Sequence, residues 1–308
     1  MILRAVPTQN RENSVSQAKT PPAAAGIPTM SGTTKSRGRK STSDKFYTKP
    51  AVALRCIEFV GIEGFDQIIE PSAGNGSFSK QIPICAAYDL YPEDPGVTRQ
   101  DWFEYRQERD PSKRVLVIGN PPFGQQNTLA VRFINQAAQF ADVIAFVLPI
   151  SFKKYSVQNR LDRHLHRLGE LVLPADSFTL DGADYNVPAV FQVWEWRKEE
   201  RLAKLRRMTS PHFHFVRKDE NPDCRVQRVG GNAGRPSQDL SKAAASNYFI
   251  KIDMDLSVED FLAYVRTLVF PGRDFGVGPR TISKDEFIRV FEDHLPAEFS
   301  QETPSATR

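Results

Sequence analysis

The segment Asn120-Pro121-Pro122-Phe123 carries the most specific chemistry in the chain. The side-chain carbonyl of Asn120 and the main-chain carbonyl of Pro121 are two acceptors close together. Two successive prolines fix φ and remove N–H groups, so the oxygens are held in place. A pair of fixed acceptors suits a planar N–H₂ group. Accepting both hydrogens returns electron density to a nitrogen whose lone pair is otherwise delocalised. Phe123 adds an aromatic face, and stacking of a base on such a face contributes ~1–3 kcal/mol. The exocyclic amine of adenine answers to this description, and enzymes acting on a base in a duplex first take it out of the stack. Asn-Pro-Pro also ends a strand well without any chemistry, so the reading depends on what accompanies it.

What accompanies it is a second loop upstream. Glu70-Pro71-Ser72-Ala73-Gly74-Asn75-Gly76 follows a short apolar run. Its glycines permit a tight turn and close approach of a bulky ligand, and a helix beginning after it would aim amides at a polar group. Asp89 closes the next apolar run, where a carboxylate can accept both hydroxyls of a ribose. Asp101 ends a third and is placed to accept from an adenine amine, with Trp102 or Phe103 against the ring. There is no GxGxxG after the first strand and no Walker-type GK[S/T], which argues against dinucleotides and nucleoside triphosphates. Further along, Lys153-Lys154-Tyr155 combines two cations with an aromatic ring, a composition suited to phosphate contact.

The elements that position these residues follow from periodicity. Ala51–Val60 has helical spacing behind Pro50. Gln67–Glu70, Ala86–Leu90, Val115–Gly119, Asp142–Pro149, Glu170–Leu173 and Val187–Trp196 read as strands; Thr128–Phe140 and Val157–Leu168 read as helices. Alternating strands and helices predict an α/β fold, a parallel sheet with helices on both faces. Its ligand site lies at the carboxyl ends of the strands. Glu70–Gly76, Asp89 and Asn120–Phe123 all fall there. Beyond Arg197 the character changes to a small α+β extension. Arg197–Arg207 reads as a charged helix, followed by strands at His212–Arg217, Arg225–Val229 and Tyr248–Ile252, then helices at Ser257–Phe270 and Ser283–Leu295. The expected divisions are a basic tail (1–43), a catalytic domain (44–197), an accessory or target-recognition extension (198–300) and a terminal tail (301–308).

The net charge of +4 belongs to the tail. Residues 1–43 hold seven Lys and Arg against one Glu, a balance of +6 that leaves −2 for the remainder. The tail is rich in Ser, Thr, Pro and Ala and has no apolar period, as disordered segments do. Its Lys35–Lys40 cluster fits a nuclear signal or a phosphate-binding arm, and its low acid content fits a transit peptide. No apolar run reaches the ~20 residues of a membrane helix. The expectation is a soluble intracellular protein, its compartment left open. Three scattered cysteines form no CxxC or Cys/His cluster, so neither a disulfide framework nor a metal site is expected.

In the order and content of these motifs the chain resembles the class I, Rossmann-like, amino-methyltransferases of N6-adenine type, over roughly residues 44–197. Asn120–Phe123 matches their (Asp/Asn)-Pro-Pro-(Tyr/Phe/Trp) motif. The resemblance implies S-adenosyl-L-methionine as cofactor, held by Phe46, Tyr47 and Thr48 ahead of the first strand, by Glu70, Ala73, Gly74 and Gly76 in the loop, by Asp89 at the ribose and by Asp101 at the adenine. It implies Asn120, Pro121, Pro122 and Phe123 as the catalytic loop, Lys153, Lys154 and Tyr155 as substrate contacts, and a nucleic acid as partner, DNA ahead of RNA. Phe123 departs from the Tyr or Trp of many members and cannot hydrogen-bond, which puts the target's identity in doubt. The same loop serves other planar amines and amides. A protein-glutamine methyltransferase and a non-catalytic cofactor- or RNA-binding subunit are the alternatives.

Overall fold

The computed structural model describes residues 46–276 and 278–297; the tails read at 1–43 and 301–308 lie outside the described residues. The strands are β1 (Tyr47–Thr48), β2 (Gln67–Glu70), β3 (Cys85–Asp89), β4 (Thr98–Arg99), β5 (Val115–Gly119), β6 (Val143–Pro149), β7 (Leu165–Val172), β8 (Phe178–Leu180), β9 (Ala183–Tyr185) and β10 (Ala189–Trp196), then β11 (Phe213–Val216), β12 (Cys224–Gln227), β13 (Pro236–Ser237) and β14 (Asn247–Ile252). The helices are α1 (Pro50–Val60), α2 (Thr128–Ala137), the single turn α3 (Tyr155–Gln158), α4 (Val258–Thr267) and α5 (Lys284–Asp293).

Seven strands make the main sheet, in the order β4-β3-β2-β5-β6-β10-β7. The first five are mutually parallel, and β10 runs antiparallel between β6 and β7. The chain moves outward from β2 to β4 and returns to the other side of β2 at β5. That reversal opens a crevice at the carboxyl ends of β2 and β5.

Both faces of the sheet are covered, and the strands read accordingly as near-continuous apolar runs. Successive side chains alternate between two cores. Ile68, Leu116, Ile118, Ala145 and Val147 pack with Ala53, Cys56 and Ile57 of α1 on one face. Ile69, Val117, Ile144, Phe146 and Leu148 pack with Ala130, Phe133 and Ile134 of α2 on the other. The expected α/β architecture with helices on both faces is therefore present. A third core, from Phe213 to Phe291, joins a four-stranded antiparallel sheet (β11-β14-β12-β13) to α4 and α5. Ser257 and Ser283 cap these two helices by accepting from the amides of Asp260 and Glu286.

Two expected helices are absent. Val157–Leu168 is the turn α3 followed by the start of β7, whose residues pair with β10 from Leu165 to Val172. Gly169 admits the Phe59 ring there, since a Cβ would stand 3.1 Å from Phe59 Cζ. Seven ladder partners outweigh a helical spacing of leucines. Arg197–Arg207 is an irregular strap rather than a charged helix. Arg201 donates to the carbonyls of Gln158 (2.6 Å), Leu165 (2.8 Å) and Leu161 (3.0 Å), and its own N–H bonds Arg163 O at 2.8 Å. With Leu202 and Leu205 left exposed, no apolar stripe exists to dock a helix.

Gly119 closes β5 with φ 148°, and a Cβ on it would meet Glu70 Cγ at 3.1 Å. Gly119→Ala is expected to lower stability by about 1–3 kcal/mol, read as a lower urea midpoint at unchanged m-value.

Candidate active site

A cavity of about 330 Å³ opens at the reversal point between β2 and β5. The residues read from the sequence at strand ends converge on it: Phe46, Tyr47 and Thr48 from β1 and its approach, Glu70, Ala73 and Gly74, then Asp89, Asp101, Asn120, Pro121 and Pro122. Two of the residues expected at the cofactor and the catalytic loop do not line it. Gly76 is buried and works within its own loop, its amide donating to Ala73 O at 2.7 Å. Phe123 is 8% exposed and edge-on to Phe46, ring centroids 5.1 Å apart, so it offers no open stacking face. Phe123 instead backs Phe46, which does face the cavity.

The floor is set by Glu70. Its carboxylate is buried and accepts the Ser79 amide at 2.8 Å. Burial pushes its pKa up to about 7, against the lowering effect of the Ser79 and Phe78 amides. The expected helix after the loop reduces to a single turn at Ser79–Gln81, and that turn's first amide is spent on Glu70 rather than on a ligand. Above it, Gly74 adopts φ 51° and packs under the Tyr47 ring; a Cβ there would be 3.0 Å from Tyr47 Cε1. Asp89 orders the opposite wall, accepting Gly74 N and Tyr91 N, each at 2.8 Å. Each oxygen keeps a lone pair for a further donor.

Asp101 does not end a strand. It caps a single turn, accepting the Phe103 amide at 2.8 Å, because β4 stops at Arg99. Of its aromatic neighbours, Trp102 is a core ring: 2% exposed, stacked with Tyr105 and donating to Phe133 O. Phe103 is the half-buried one, with the Arg132 guanidinium 4.0 Å from its centroid.

Asn120 is the unusual residue. Its Nδ2 donates to Phe46 O at 3.4 Å, and its main-chain carbonyl accepts from Ser72 Oγ at 3.1 Å. Its Oδ1 is buried and has no hydrogen-bond partner. Thr48 Oγ1, in the same cavity, is also buried without one. An unmade bond at a buried polar atom costs about 1–3 kcal/mol, and two such atoms facing one cavity mark positions a ligand would satisfy.

The cavity's charge is one-signed. Glu70, Asp89, Glu93 and Asp101 line it, and among the described residues no Lys or Arg does. That field disfavours pyrophosphates and favours a ligand bearing positive charge. The hairpin β8–β9 pairs through β8 with β1 and sets the Tyr185 ring 5.8 Å from that of Phe46. Sequence reading missed Tyr185, Ser72 and Glu93, the last accepting from Tyr47 OH at 2.6 Å. Their roles come from tertiary pairings that leave no local pattern. Lys153, Lys154 and Tyr155 line a different cavity. Among the described residues no His, Cys, Asp and Glu cluster could hold a metal, and no helix is long and apolar enough to cross a membrane. Burial pushes the thiols of Cys56, Cys85 and Cys224 up to about 12.

The Glu70 shift has a sign. A carboxyl raised from an unfolded value of ~4.3 to about 7 contributes stability that is full below the lower value and lost as pH rises through the upper one. The stability difference between wild type and Glu70→Gln is therefore expected to move against the wild type from pH 4.5 to 7, measured by chemical denaturation of both proteins across that range.

Residues 78–190 match the EDM2 methyltransferase-like domain family. A stretch of 158 residues is 23% identical to the protein ENHANCED DOWNY MILDEW 2 of Arabidopsis thaliana, covering 47% of this chain and 12% of that protein, far short of its length. Among solved structures, a Thermoplasma acidophilum protein overlays at TM-score 0.35 with 16% identity, over 49% of this chain and 86% of its own. A dimethyladenosine transferase from Plasmodium falciparum overlays at 0.33 with 12% identity, over 49% and 64%. The part of the sheet from β3 to the start of β10 is thus similar to a methyltransferase-like domain.

Proposed function

We propose that the chain is an S-adenosylmethionine-dependent methyltransferase acting on a planar N–H₂ group, the N6 amine of adenine in a nucleic acid. The observation that carries the reading is the buried, unpartnered Oδ1 of Asn120, held in the acidic cavity beside the Glu70–Gly76 loop.

The cavity fits the cofactor. Its volume lies within the range of small-molecule sites, and the carboxylates of Asp89, Glu93 and Asp101, with Glu70 on the floor, suit a sulfonium and an ammonium. Tyr47, Thr48, Glu70 and Gly74 would hold the amino-acid end, Asp89 the ribose and Asp101 with Phe103 the adenine. When bound, S-adenosylmethionine supplies a methyl group on a sulfonium open to attack by nitrogen.

The protein's own part is to present that nitrogen. Asn120 Oδ1 accepts one amine hydrogen and the Pro121 carbonyl the other. The lone pair is thereby freed from the ring, and the positive charge growing on nitrogen meets two oxygens already in place. Ser72 fixes the main chain at Asn120, and Nδ2 bonding to Phe46 O sets which end of the amide faces the cavity. The ring offered to a flipped base is Phe46 rather than Phe123, with Tyr185 packed beside it.

The test uses labelled S-adenosylmethionine with pools of DNA, RNA and protein, followed by digestion and mass spectrometry. N6-methyladenine in DNA or RNA is expected. Asn120→Ala is expected to lower turnover by about 10²–10³-fold, the usual effect of losing one preorganised hydrogen-bonding group, with cofactor affinity by calorimetry retained. Label in protein alone would reject the nucleic-acid reading.

A further inference from the structure

A second cavity, about 620 Å³, lies where the segment leaving β6 meets the C-terminal core. Its charge is the reverse of the first. Lys153, Lys154, Arg206, Arg228, Lys284 and Arg289 line it against two carboxylates, Asp285 and Glu286. Asp285 is already engaged. It is 3% exposed, accepts Arg207 N at 2.5 Å and pairs with Arg289 at 3.1 Å. Burial raises the Glu286 carboxyl, against the lowering effect of the Gly272 amide and of Lys154 nearby. Lys153 is neutralised by Glu170 at 2.8 Å.

The remaining cations are not ion-paired. Among the described residues no carboxylate lies within salt-bridge distance of Lys154, Arg206, Arg228 or Lys284. Two of them rest on an aromatic wall: Arg228 Cζ is 5.4 Å and Lys284 Nζ 5.8 Å from the Tyr248 centroid. Arg228 Nε is buried and has no hydrogen-bond partner. Its main chain is fixed by Ser246 O and Ile282 N, so the guanidinium is held at the wall by both neighbours. Uncompensated cations around a cavity, one with an unsatisfied buried N–H, call for an anionic ligand. Cations interleaved with ring faces are the combination that follows a single-stranded nucleic acid, phosphate by phosphate and base by base.

The two cavities are mechanically joined. Asn127, in the turn after the Asn120–Phe123 loop, donates to Ser151 Oγ at 2.8 Å. Leu129, just beyond, walls the first cavity, and Lys153, just beyond Ser151, walls the second.

We propose that the second cavity binds the phosphodiester backbone of a single-stranded stretch of the polynucleotide, flanking the base delivered to Asn120. The inference rests on the proposed function only in naming that polymer as substrate. Fluorescence anisotropy with labelled single-stranded DNA and RNA 20-mers across a salt series tests it, using the full chain. Wild type is expected to bind with strong salt dependence. Arg228→Ala with Lys284→Ala removes two phosphate contacts. It is expected to weaken binding by about tenfold or more at ~0.1 M salt and to flatten the log–log salt slope by about 1.4, at ~0.7 per contact on single strands. The milder Lys154→Glu change is expected to act in the same direction. S-adenosylmethionine affinity stays constant in all three. Inorganic pyrophosphate competing at micromolar levels would assign the site to a small phosphate instead and overturn the proposal. So would wild type that binds neither oligonucleotide at low salt, or variants that bind as tightly and as steeply as wild type. Wild type separates the two readings: if it methylates no base yet still binds oligonucleotides through Arg228 and Lys284, the proposed reaction fails and this site stands.

Discussion

The buried carboxyl of Glu70 is the constraint on which the rest of the site depends. It ends β2, accepts the Ser79 amide and lies against Gly119 at the end of β5. One side chain therefore ties together the cofactor-side loop, the turn after it and the strand that launches Asn120. The contact is possible only because residue 119 lacks a Cβ, so a glycine in one strand and an acid in the next act as a pair. The parallel register aligning Ile69 with Val117 places them side by side. A carboxyl so deeply held cannot be strongly solvated, and its raised pKa follows from that position.

Around this anchor the molecule sorts charge by location. The strand-end cavity holds four carboxylates and no cation, the second holds six cations and two carboxylates. A net charge of +4 over the chain hides this division. Under the proposed function the two fields are complementary to the two ends of one reaction complex: a cationic methyl donor and a polyanionic acceptor. An acidic pocket alone would repel a polynucleotide, and the basic cavity offsets that repulsion close by without placing cations beside the sulfonium site.

Much of the first site was legible because its determinants are local. Strand-end motifs survive as short strings: an apolar run of two to five residues followed by Glu-Pro-x-x-Gly, by Asp or by Asn-Pro-Pro. The bounds of β2 and β5 agree with those strings residue for residue. What sequence did not disclose depends on distant partners. The leucines of 161–168 have helical spacing, yet β10 supplies a ladder that makes Leu165 onward a strand. The basic run of 197–207 looks helical by composition, yet Arg201 satisfies carbonyls across the sheet's edge and holds the backbone extended. Phe123 reads as a stacking face because of its motif, but the Phe46 ring covers it. Lys153–Tyr155 reads as part of the same site because it too follows a strand end, whereas the turn at Ile150–Lys153 carries it to the C-terminal core.

Burial of Phe123 changes what the Asn-Pro-Pro-Phe motif specifies. If the ring is a support rather than a platform, its lack of a hydroxyl carries no information about the target, and the departure from Tyr or Trp matters less than the sequence implied. In the proposed reaction, selection of the base then falls to Phe46 and the Asn120 amide, which line the cavity, with the hairpin residue Tyr185 packed beside Phe46. Tyr185 is 37% exposed and hangs on a strand pairing of three residues, with Asp181 at positive φ in the turn beside it. A short hairpin attached by β8 to the two-residue strand β1 has few bonds to break. Residues of β1 itself, Tyr47 and Thr48, line the cofactor cavity. In the proposed reaction, a ligand held at β1 would stiffen the hairpin on which Tyr185 rides, so that order at the cofactor side would reach the face that receives the base.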